Sequence, residues 1–132
     1  MQLIRLEKIS MGYISGQEVL HDITFAVNPG EFYFLAGASG VGKSSLLNIL
    51  AISNKPNSGN LRILGKDTGK MSRSELALMR RKIGTVFQDY RLIEHLNVEE
   101  NVGLPLKIAG ESKKQIAGKV AELREWVGLG AY

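Results

Sequence analysis

The chain has 132 residues, enough to close one hydrophobic core with little left over, so a single domain is the expectation. Hydrophobic residues make up 44% and charged residues 23%, which excludes a disordered or fibrous chain, and the absence of cysteine excludes disulfides and thiolate metal sites. Seventeen Lys plus Arg against thirteen Asp plus Glu leave a net charge of +4. That excess is mild, and the basic clusters Arg80-Arg81-Lys82 and Lys113-Lys114 are short and carry no interleaved aromatics, so no nucleic-acid partner is expected. The start, Met1 to Arg5, reaches charge at once, and no apolar run approaches the roughly 20 residues that cross a bilayer. A cytoplasmic setting is the expectation.

Along the chain, Gln2 to Ile9 and Val19 to Val27 mix apolar and polar residues in the manner of half-exposed strands. Asn28-Pro29-Gly30 signals a turn, and the apolar run Phe32 to Ala36 has the length of a strand buried on both faces, which predicts a central parallel strand. A glycine-rich stretch, Gly37 to Gly42, comes directly after it, and Lys43 to Ala51 reads as a helix. Asn57-Ser58-Gly59 is a second turn before a short strand at Leu61 to Leu64. Ser72 and Glu75 form a capping box that predicts a helix over Ser74 to Lys82, with a further strand at Ile83 to Phe87. Asn97 to Ile108 allows another helix, which Pro105 would limit or kink. Ser112 and Gln115 repeat the capping logic ahead of the stripe Ile116, Val120, Leu123, Val127. Strands alternating with helices predict an α/β fold: N-terminal antiparallel strands and a central, partly parallel sheet flanked by helices.

Residues 37 to 44 read Gly-Ala-Ser-Gly-Val-Gly-Lys-Ser, a full match to the P-loop pattern (Walker A). Gly37, Gly40 and Gly42 permit backbone angles and close approach that let successive amides converge on phosphate oxygens, with Ala38, Ser39 and Val41 supplying the intervening amides. The helix after the loop adds the positive end of its dipole. Lys43 would bring an ammonium to the β- and γ-phosphates, the Ser44 hydroxyl would ligate Mg²⁺, and Ser45 would add a hydroxyl toward the α-phosphate. A chance match in a chain of this length is on the order of one in a hundred. A glycine-rich turn without a ligand is the bland alternative. The strand-loop-helix context predicted around the motif argues against it.

Over nearly its whole length the sequence resembles the ATP-binding subunits of ABC transporters. Tyr13 stands 24 residues before Gly37, where that family places a ring that stacks on adenine. Asn28-Pro29-Gly30-Glu31 is similar to its turn before the P-loop, Pro56-Asn57-Ser58-Gly59 and Gly65-Lys66-Asp67 to its next landmarks, and Phe87-Gln88-Asp89 to its Q-loop. Within the family, the run Phe87 to Leu92 with Glu100-Asn101-Val102 and Leu104-Pro105-Leu106 is most similar to the cell-division branch, whose ATPase works with a permease-like membrane partner. Lipoprotein-releasing and macrolide-exporting ATPases share some of these residues.

The resemblance implies roles. ATP with Mg²⁺ is the cofactor, Gln88 contacts the metal or the attacking water, and residues 88 to 108 face the permease from the inner side of a bacterial membrane. It also implies that the intact protein forms a homodimer that sandwiches and hydrolyses ATP. The second aspartate that holds Mg²⁺, its neighbouring glutamate, the switch histidine and the LSGGQ-like segment are not found among these residues, and His21 and His95 sit at positions unsuited to the switch. The chain is therefore expected to be the N-terminal part, residues 1 to 132, of a longer nucleotide-binding domain, to bind nucleotide without appreciable turnover, and to carry exposed strand edges that favour association. Two other readings compete. Guanylate kinases carry a similar loop but do not need 36 residues before it, and a non-catalytic module could use nucleotide only to order a partner surface.

Overall fold

A computed structural model describes residues 2–12 and 18–130. These divide into two compact units, Met1–Ile83 and Gly84–Tyr132.

The first unit is built on an antiparallel sheet. Strand β1 (Ile4–Gly12) pairs on one side with β2 (Glu18–Val27) and on the other with β3 (Ser58–Ile63), and β3 carries the short β4 (Lys66–Asp67), giving the order β2-β1-β3-β4. The alternation of β1 is broken at one point. Leu6 and Ile9 are both fully buried although they are an odd number of residues apart, because Lys8 adopts a left-handed φ of 50° and the register jumps from Leu6↔Phe25 to Ile9↔Ile23. One extra residue in β1 is a bulge that turns Ile9 back to the core face. Gly59 makes room for it: its own φ is +89°, and a Cβ there would collide with the Lys8 carbonyl group.

Helix α1 (Lys43–Leu50) lays Leu46 and Ile49 on the core formed by Leu6, Ile9, Met11, Leu20, Leu61 and Ile63. Helix α2 (Arg73–Arg80) adds Met79, and its Arg80 Nε donates to the Ile52 carbonyl oxygen at 2.9 Å, tying the end of α1 to α2.

The second unit is a helical hairpin, α3 (Val98–Ala109) and α4 (Lys113–Trp126). Gly103 lets the helices approach closely, since a Cβ there would meet the Ile116 side chain at 2.7 Å, and Arg124 pairs with Glu99 at 2.6 Å. Gly110, with φ 89°, ends α3, and Ser112 starts α4 two residues later. Among the described residues no helix is long and apolar enough to cross a membrane.

Two expected strands are corrected. Residues 32–36 and 83–87 belong to no strand, and the ladders of the described sheet are all antiparallel, so the parallel part of the expected sheet is not formed. A strand buried on both faces owes its stability to neighbouring strands and covering layers. Phe32, Phe34 and Val86 have neither and are 81%, 88% and 101% exposed. The helix allowed at Asn97 to Ile108 does form, and it continues past Pro105 to Ala109.

Candidate nucleotide site

The glycine-rich loop enters α1 with its N-terminus open. Helices α2, α3 and α4 each start with a complete capping box, Ser72 with Glu75, Asn97 with Glu100 and Ser112 with Gln115. Helix α1 is preceded by Gly42, which has φ 99° and makes no side-chain cap, and its first turn holds no acidic residue. Among the described residues no side chain caps that end, so its partial positive charge faces the loop.

Gly42 also fixes where the loop sits. A Cβ at this position would fall 2.9 Å from the Val19 carbonyl oxygen and as close to the Val19 and Leu20 side chains, so the last turn of the loop rests directly on the start of β2. Gly40, with φ +80°, has nothing within 4 Å of the place its Cβ would take, and there the glycine serves the backbone angle alone.

The Lys43 ammonium folds back over the loop and donates to the carbonyl oxygens of Gly37 at 2.8 Å and Ala38 at 2.7 Å. Two of its three donor positions hold it at the loop mouth, and the third is available geometry for an anion. Ser44 is exposed at the first turn of α1, whereas Ser45 is buried at 6% exposure. The structure thus brings Gly37, Ala38, Gly40, Gly42, Lys43 and Ser44 to one helix end, with Ser39 and Val41 in the exposed crest of the loop. This donor set of amides, one ammonium and a hydroxyl, without a carboxylate, fits a phosphate chain with its cation.

Just before the loop, the turn expected at Asn28-Pro29-Gly30 is organised around Glu31. Its carboxylate accepts from the Asn28 backbone amide at 2.5 Å, from Asn28 Nδ2 at 2.9 Å and from the Tyr33 hydroxyl at 2.9 Å. These bonds, led by the Asn28 side chain, hold the Glu31 carboxyl below the usual carboxylate range, and Glu31 in turn pushes the Tyr33 phenol upward.

The remaining expected site residues lie elsewhere. Tyr13 falls outside the described residues. Gln88 belongs to the second unit, exposed in a turn whose nearby residues Tyr90 and Arg91 take left-handed φ values of 56° and 50°, with the Arg91 guanidinium 4.0 Å over the Phe87 ring. His21 is exposed on β2 with Nδ1 2.6 Å from Glu18, and His95 is exposed as well. Asn101 is quoted above only for the resemblance, and its spacing shows nothing of its structural role. Its side chain reaches the carbonyl oxygens of Ile93, Leu96 and Asn97 and accepts from the Ile93 amide at 2.8 Å, fastening the segment after Gln88 to α3.

The sequence profile of the ABC transporter family matches residues 20–132. The chain belongs to that family. The ABC chain is 39% identical over 127 residues to the cell division ATP-binding protein FtsE of Escherichia coli K12, and 35% identical over 127 residues to FtsE of Bacillus subtilis, in each case over 96% of its length. It is also 34% identical over 130 residues to the methionine import ATP-binding protein MetN 3 of Oceanobacillus iheyensis. The chain spans 57% and 56% of the two FtsE relatives and 38% of MetN 3. Among solved structures it resembles a dimeric ATP-binding cassette in a post-hydrolysis state bound to ADP and Pi, with a TM-score of 0.83 and 33% identity over 90% of this chain and 54% of that one. An α/β fold of the P-loop ABC class, with antiparallel N-terminal strands, is thereby established for this chain.

Proposed function

We propose that the chain binds Mg·ATP through residues 37–45, as the N-terminal part of the nucleotide-binding domain of an FtsE-like cell-division ATPase. The observation that carries this reading is the open start of α1 behind the loop, with the Lys43 ammonium held at its mouth by the Gly37 and Ala38 carbonyl oxygens. In this reading the loop amides and the α1 dipole hold the phosphates, Lys43 neutralises the β- and γ-phosphates, Ser44 ligates Mg²⁺ and Ser45 supports the α-phosphate side. Tyr13 stacks on the adenine, and Gln88 completes the metal and water shell. The bound cation supplies charge neutralisation of the phosphate chain. Support comes from the FtsE relatives and from a structural neighbour that carries ADP and Pi.

The whole protein of this type hydrolyses ATP as a homodimer beside an FtsX-like permease on the inner face of the bacterial membrane, with residues 88–108 as the docking surface. The 132-residue chain itself, which carries no second aspartate after an apolar run, no neighbouring glutamate and no LSGGQ-like segment, binds without appreciable turnover. The test is titration with a fluorescent ATP analogue and Mg²⁺, beside Lys43→Ala and with unlabelled GTP as competitor. Saturable binding that is lost in the variant is expected; binding that survives it would remove the P-loop from the reading. A phosphate-release assay run alongside is expected to stay at background, and Lys43-dependent turnover would overturn the second half.

A further inference from the structure

A cavity of about 330 Å³ in the first unit is lined by the connection from α1 to β3, by the residues around Thr68 and by Leu76 and Arg80 of α2. Leu61, Met71 and Leu76 give it an apolar part. The ionisable residues among its described lining are Lys55 and Arg80, both basic, and no salt bridge among the described residues includes either one. The surroundings are equally short of anions. Residues 52–83 hold eight Lys and Arg against two carboxylates, and both carboxylates are occupied: Asp67 accepts from the Gly69 amide at 2.9 Å, and Glu75 is engaged in its capping box with Ser72.

Arg80 is anchored at one nitrogen only. Its Nε donates to the Ile52 carbonyl oxygen at 2.9 Å, which fixes the guanidinium plane and leaves the two Nη nitrogens without an acceptor among the described residues. Ile52 is itself held in place, buried at 7% exposure and with a left-handed φ of 56° that a β-branched residue rarely takes. Its amide donates to the Ile49 carbonyl oxygen at 2.9 Å and the Ser53 amide to that of Asn48 at 2.8 Å, the pairing that closes a helix end. What is left of the negative end of α1 is at most about half an elementary charge, against two full cations. Of the polar side chains in the wall, Asn57 accepts from the Gly12 amide at 2.7 Å and Thr68 donates to the Leu61 carbonyl oxygen at 3.0 Å, while Ser53 and Asn54 remain as donors beside the cations.

A planar guanidinium with paired N–H donors, a second cation, neutral donors and no carboxylate together match the oxygens of a phosphate group, and the apolar part matches a few carbon atoms attached to it. The volume stands at the low end of small-molecule sites, about 300–1,000 Å³, which suits a ligand smaller than a nucleotide. We propose that this cavity is an anion site separate from the phosphate loop, taking a phosphomonoester carried by a small molecule or by a lipid headgroup, with Arg80 forking the phosphate and Lys55 adding charge. None of its residues belongs to 37–45, so it stands or falls apart from the Mg·ATP reading.

The test is amide chemical-shift mapping on the 132-residue chain with glycerol 3-phosphate and no Mg²⁺, followed at Ser53, Asn54 and Gly69 for the cavity and at Gly40 and Gly42 for the phosphate loop. Saturable shifts at the first three are expected. Arg80→Lys, which keeps the charge and loses the fork, weakens them about tenfold. Lys55→Glu, at an exposed residue, weakens them several-fold and carries the test if the Arg80 variant does not fold. Shifts confined to Gly40 and Gly42, or cavity shifts that neither variant weakens, would overturn the proposal. Vesicles of phosphatidylcholine with phosphatidic acid identify the source of the phosphate. Capture that Arg80→Lys abolishes, and that phosphatidylglycerol at equal charge does not reproduce, assigns the lipid headgroup, whereas cavity shifts with glycerol 3-phosphate and no capture assign a soluble ligand. Equal capture by both kinds of vesicle, indifferent to Arg80→Lys and without cavity shifts, would reduce the site to surface charge and overturn it.

Discussion

The Tyr33 hydroxyl donates to the Glu31 carboxylate at 2.9 Å, at the head of an apolar segment that runs straight into the phosphate loop. Glu31 titrates below its ordinary 4.5, first through the Asn28 side chain, and Tyr33 titrates above its ordinary 10.0, first through Glu31. The signs differ. A depressed carboxyl adds stability above the unfolded value, which is lost as pH falls through the folded one, whereas a raised phenol adds stability below pH 10.0 that is lost as pH rises through its folded value. Glu31→Gln is therefore expected to move one phenol titration, followed by ultraviolet absorbance, back toward 10.0 and to flatten the acid limb of stability below pH 4.5. An unchanged phenol profile would show that the pair is not formed in solution.

Gly40 and Gly42 separate backbone strain from packing. Gly40→Ala meets no neighbour and should cost about 1 kcal/mol, the penalty of a left-handed angle on a residue with a Cβ. Gly42→Ala carries the same penalty at φ +99° and adds a Cβ 2.9 Å from the Val19 carbonyl oxygen, which is backbone and cannot swing away. Urea denaturation should rank Gly42→Ala as the more destabilised by at least about 1 kcal/mol. Equal losses would mean that β2 yields.

Ser72→Ala removes the acceptor for the Glu75 amide and should cost about 1 kcal/mol. Glu75 is held below its ordinary 4.5, first by the Ser72 backbone amide, so its contribution is present above that value and lost as pH falls through the folded one. The difference between Ser72→Ala and the parent chain, measured by thermal unfolding, should narrow in acid below pH 4.5. A gap that stays constant across that range would show that the Ser72 hydroxyl does not donate to the Glu75 carboxylate.

Asn101→Ala should release the segment after Gln88 from α3. The expected result is faster amide exchange at Ile93, whose amide donates to Asn101 Oδ1, with little change at residues in α4. If the proposed docking surface is right, the same variant weakens capture by an FtsX-like permease. Unaltered exchange at Ile93 would leave that segment held by other contacts.

Local chemistry is the legible part of the sequence. The capping boxes at Ser72 and Ser112 form as expected, and α1 starts at Lys43 as the pattern requires. The third box, Asn97 with Glu100, has the same spacing but escapes a search for the Ser/Thr form of the motif. Contacts distant in sequence are not legible. Nothing in the spacing of Lys8 shows that it is the extra residue of a bulge, or that Asn57 reaches Gly12. The strand expected at residues 32–36 fails for a related reason: an apolar segment announces that it can be covered, not that a neighbour is there to cover it.

Three helices bring their own N-terminal acceptors, whereas α1 has no side-chain cap among the described residues. In the proposed complex the phosphate chain is, in effect, the missing capping residue. Ligand affinity and the helical order of residues 43–50 are then a single free energy observed from two ends. Rising ATP concentration should slow exchange of the α1 amides while α2, whose cap is covalently its own, stays indifferent to the solution around it.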